Sequence, residues 1–85
     1  MELPPPTFQV LVATLASQAM NSLGLLAEEG KEPPKANFEH AQFVIDLLGV
    51  IEEKTKGNLT DMERAMLQGA LTDLRMAYVE TKEKA

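Results

Sequence analysis

Cysteine and tryptophan are absent from this 85-residue chain, and histidine occurs once. Without cysteine there is no disulfide, no thiolate nucleophile and no thiolate-ligated metal. A single imidazole also rules out the His-rich metal sets. Basic residues are few: 8 Lys and Arg stand against 13 Asp and Glu, for a net charge of −5. A general nucleic-acid binder needs a concentrated basic surface to displace counterions from phosphate, so none is expected here. Aromatic residues are limited to three Phe and one Tyr. What remains, 45% apolar and 25% charged, is the composition of one small globular domain.

Charge is missing from one stretch altogether: no charged residue lies between Leu3 and Ala27. A membrane span or a secretory signal would read this way at first sight. A span needs ~20 predominantly apolar residues, but Gln9, Thr14, Ser17, Gln18, Asn21 and Ser22 interrupt this one. Each would cost free energy in hydrocarbon unless paired. Glu2 and Pro4-Pro5-Pro6 stand where a signal peptide carries its basic residues. The expectation is therefore no membrane insertion, and a cytoplasmic protein, with which the lack of cysteine agrees.

At ~100° per residue the stretch sorts into a helix. Phe8, Val12, Leu15, Ala16, Ala19, Leu23 and Leu26 share one face, with Thr14, Ser17, Gln18 and Asn21 opposite. Thr7 follows the proline run as an N-cap, so helix one is predicted over 8–26. Gly30, Pro33 and Pro34 then mark a loop over 27–37. Asn37 caps helix two, predicted over 38–56, with Glu39 in its first turn and lysines in its last. Thr60-Asp61-Met62-Glu63 is a capping box that opens helix three, predicted over 61–81. So short a break sets helices two and three as an antiparallel hairpin in an all-α domain. Helix two has more apolar surface than one partner helix can cover. Phe38, Ala41, Val44, Ile45, Leu48 and Ile51 form a band that Phe43, Leu47 and Val50 extend past half the circumference. A second copy of the chain can cover the rest, which predicts a homodimeric helical bundle.

No chemistry-bearing set emerges. The i±3 and i±4 neighbours of His40 include Asn37, Phe43 and Val44, so no metal site forms around it on its own helix. Ser17 and Ser22 have no base nearby in sequence. The paired carboxylates Glu28/Glu29 fall in the loop. Glu52 lies opposite Arg64 across the hairpin, which predicts a salt bridge rather than acid–base work. No cofactor loop is visible, and the chain is not expected to be an enzyme. Two candidate surfaces remain. Ala13, Ser17, Gln18, Asn21 and Gly24 on helix one combine small residues with uncharged polar ones and form a candidate self-association face, with packing inside one chain as the alternative. Lys54, Lys56, Gly57, Asn58 and Thr60, at the corner between helices two and three, can receive an anion or a protein partner. The same lysines also serve as dipole partners at a helix end.

The run Glu53-Lys54-Thr55-Lys56-Gly57-Asn58-Leu59-Thr60 resembles the bacterial domain-of-unknown-function family 1844. So do Ile45-Asp46-Leu47-Leu48, the segment from Leu71 to Glu80, and Phe8 with Leu15-Ala16-Ser17-Gln18-Ala19 and Leu23-Gly24. The resemblance covers nearly the whole chain. Gly49 and Ala77 depart from it, standing where the family carries larger, often charged residues. It implies a small, soluble, helical bacterial protein and transfers no catalytic residues. The expected function is thus a non-enzymatic homo-oligomer that works by contact with itself and with a protein partner still to be identified. The alternative is a small-anion binder at the Lys54–Thr60 corner.

Overall fold

The computed structural model describes residues 3–25 and 35–84. Three helices form in order: α1 Phe8–Ser22, α2 Phe38–Lys54 and α3 Asp61–Lys84. Each start is fixed by a local hydrogen bond to an amide that the helix itself cannot satisfy. Thr7 Oγ1 accepts from the Val10 N–H at 3.2 Å, and Asn37 Oδ1 accepts from the His40 N–H at 3.1 Å. The capping box is complete: Glu63 N–H donates to Thr60 Oγ1 at 3.1 Å, and Thr60 N–H donates to Glu63 Oε1 at 2.9 Å. Thr60→Ala removes one of these bonds and is expected to cost about 1 kcal/mol of stability. Urea unfolding measures this, with Thr60→Ser as the control that keeps the hydroxyl.

The helix ends differ from the sequence expectation. Helix one stops at Ser22 rather than Leu26, and Leu26 itself lies outside the described residues. Gly24 adopts φ 77°, a left-handed conformation that L side chains resist. The Gly24 N–H returns to the Asn21 carbonyl and the Leu25 N–H to the Met20 carbonyl, both at 3.0 Å. That is a Schellman closure. Helix two ends at Lys54 rather than Lys56: the Lys56 N–H turns to the Glu53 carbonyl, three residues back, and the Thr55 hydroxyl donates to the Ile51 carbonyl at 2.6 Å. Gly57 then turns the chain with φ 87°. Helix three continues past Thr81 to Lys84, with Lys82 and Lys84 in the last turn complementing its dipole. Of the predicted loop, only Lys35–Asn37 fall within the described residues, and they are non-helical.

Each helix packs against both others. The buried core draws Val12 and Ala19 from α1, Leu23 from its end, Ala41, Val44, Ile45 and Leu48 from α2, and Leu67, Leu71 and Leu74 from α3. These are the inward positions of the 3.6-residue period. At the start of α2, Phe38 meets Tyr78 edge to face, ring centroids 5.6 Å apart at 82°. Lys82 Nζ lies 5.5 Å from the centroid of the same Tyr78 ring. The thinnest dimension, 17 Å, is about that of two packed helices at 8–10 Å separation. Among the described residues, no second layer of helix covers the outward faces.

Candidate functional site

The outer face of α1 is exposed at Ala13, Thr14, Ser17, Gln18 and Asn21. No Lys, Arg, Asp or Glu occurs anywhere on this helix. Gly24, the fifth member of the predicted self-association set, is half-buried and serves the Schellman turn. The small-residue edge thus splits into four exposed positions and one backbone device.

The broad apolar arc of α2 divides in the folded chain. Ala41, Val44, Ile45 and Leu48 go to the core, whereas Phe43 stays 59% exposed, Val50 51% exposed and Leu47 half-buried.

At the corner between α2 and α3 lies a cleft of about 540 Å³, lined by Glu52, Glu53, Lys56, Gly57, Leu59, Arg64, Leu67 and Gln68. Of the five predicted corner residues it includes Lys56 and Gly57, and leaves out Lys54, Asn58 and Thr60. Two carboxylates line it beside the two cations. The expected Glu52–Arg64 bridge is replaced by a pair within α3: Arg64 Nη2 lies 2.6 Å from Asp61 Oδ1. One turn of helix brings those two together without any docking, and both are well exposed, so the pair adds little stability.

Sequence reasoning missed one contact. Ser22 Oγ is hydrogen-bonded to His40 Nδ1, so this serine does have an imidazole beside it. The Asn37 N–H also donates to the Ser22 carbonyl at 2.6 Å. Together they clip the end of α1 to the start of α2, on either side of the connecting segment. The partners are 18 residues apart, and no spacing rule links them. Asp46, on the polar side of α2, accepts from Gln42 Nε2 at 2.9 Å. Among the described residues no cluster of three His, Asp or Glu side chains could hold a metal ion, and no helix is long and apolar enough to cross a membrane. Glu28 and Glu29 lie outside the described residues.

The family described as a domain of unknown function (DUF1844) matches residues 5–80, from the proline run to the last turns of α3. The chain belongs to this family. Nothing among curated proteins or solved structures matches it. The DUF1844 match takes in all three caps, the Ser22–His40 clip, the corner cleft and both outward faces.

Proposed function

We propose that this DUF1844 protein is a non-enzymatic, homo-oligomeric protein–protein interaction module, two copies meeting through the outer face of α1. The observation that carries the reading is the lack of charge on that exposed face in a chain of net charge −5. Two copies brought together elsewhere set acid against acid, whereas here amides and hydroxyls of one protomer can pair with those of the other. Leu11, 46% exposed at the edge of the face, adds apolar contact. The turn at Gly57 and the edge-to-face contact of Phe38 with Tyr78 support an antiparallel α2–α3 hairpin within each protomer.

One observation weighs against catalysis and another against anion binding at the corner. Ser22 and His40 act as a clip, and among the described residues no hydrogen bond orients the second ring nitrogen of His40, which a nucleophile's base needs. The corner cleft, with Glu52 and Glu53 beside Lys56 and Arg64, lacks the net positive field that an anion would require. Sedimentation and light scattering at micromolar concentration test the reading. A dimer is expected, and Ser17→Glu with Gln18→Glu is expected to weaken it by at least about tenfold, because like charges then meet across the two-fold axis. A wild-type monomer at ~50 µM, or a dimer that the double variant leaves intact, would overturn it.

A further inference from the structure

The outer face of α2 carries a second pattern, separate from the self-association face. Phe43, Leu47 and Val50 follow i, i+4, i+7 and make an outward apolar stripe, with Phe43 and Val50 more than half exposed. Beside it Glu39, Asp46 and Glu53, each seven residues from the next, form an exposed acidic column along one edge. A seven-residue repeat drifts only ~20° per step on a straight helix, so the column stays alongside the stripe over the whole of α2.

We infer that this face docks an amphipathic helix of another protein, whose own apolar stripe is bordered by Lys or Arg. The stripe supplies the i, i+3/i+4, i+7 anchors by which helices recognise one another, and the column fixes the sign of the partner's border. Other occupants fit less well. Two copies of α2 packed antiparallel about Leu47 would place Asp46 near the partner copy's equivalent carboxylate and Glu39 near its equivalent of Glu53, so acids would face acids. An anionic lipid surface would be repelled by the same column. Basic borders turn each of these repulsions into a pairing.

The probe is a fluorescein-labelled, end-capped 15-residue helical peptide with Leu at heptad a and d positions and Lys at e and g. Its twin carries Glu at e and g. Binding to the full chain is followed by anisotropy at 0.15 M salt. The Lys peptide is expected to bind saturably and at least about tenfold tighter than its twin. Phe43→Ser with Val50→Ser should lose at least about tenfold of that affinity while circular dichroism stays unchanged, since both side chains point outward. Reversing the column with Glu39→Lys, Asp46→Lys and Glu53→Lys should make the Glu peptide the better ligand. No saturable binding, or Lys-peptide binding that the double serine variant leaves intact, would overturn the inference. So would loss of the chain's own dimer in the double serine variant, which gives the stripe to a second copy. Cosedimentation of the wild type alone with phosphatidylglycerol vesicles would give it to lipid. A monomeric wild type that still selects the Lys peptide would sink the self-association reading and leave this one standing.

Discussion

Leu48→Ala is expected to lower the unfolding free energy by about 2–5 kcal/mol. Leu48 is fully enclosed, at 0% exposure, in the middle of α2. That helix packs on both others, and Leu48 belongs to the core they share, so the cavity would open inside that core. The loss combines transfer of the missing methyl and methylene groups with a residual void that a close-packed interior refills only in part. Against the scale of the whole, the effect is large. At ~0.05–0.15 kcal/mol per residue a chain of this size holds about 4–13 kcal/mol. Urea unfolding at several protein concentrations measures the change and separates it from any stabilisation by association. A loss under about 1 kcal/mol would mean that this part of the core is loosely packed.

Ala41→Leu tests the same core from the opposite direction. Ala41 is also 0% exposed, one turn into α2 and beside the His40 that is clipped to α1. A branched side chain there has to displace a neighbour or rotate out of its rotamer well, at about 1–3 kcal/mol. Ala65→Leu is the control. Ala65 is exposed on α3, and the same change there should stay within about 0.5 kcal/mol. Urea midpoints for the pair give the contrast. If Ala41→Leu proves stabilising, there is unfilled space between α1 and α2, which would contradict the enclosed core described above.

The interaction readings depend on what lies outside that core. α1 presents no charge and α2 presents an apolar stripe with an acidic border. The proposed self-association face and the proposed basic-helix face use different residues, so the two contacts would not compete for them. Small domains bury a modest fraction of their surface and gain stability from association. In this chain the same association would carry function.

Much of the fold is legible in the residue string alone. Thr7, Asn37 and the Thr60–Glu63 box are each read from residues three positions apart, and each forms the hydrogen bond its spacing implies. The inward positions of all three helices follow the apolar period in the same way, from Val12 and Ala19 to Leu67, Leu71 and Leu74. Gly24 stands out in the string as well, where its small size suggests a helix contact. Its left-handed backbone, not its lack of a side chain at such a contact, is what ends α1.

The division has a physical cause. Interactions between residues within about four positions are fixed by helix geometry, so caps, apolar stripes and the Asp61–Arg64 pair are properties of the residue string. Whether Glu52 comes within reach of Arg64, and whether Ser22 meets His40, depends on how the helices dock. So does the fate of α2's wide apolar arc. Its width says that several sides could be covered, but two neighbours decide which sides are. They cover Ala41, Val44, Ile45 and Leu48 and leave Phe43 and Val50 facing outward, because helices meet along one stripe each and a third stripe has no partner among the described residues.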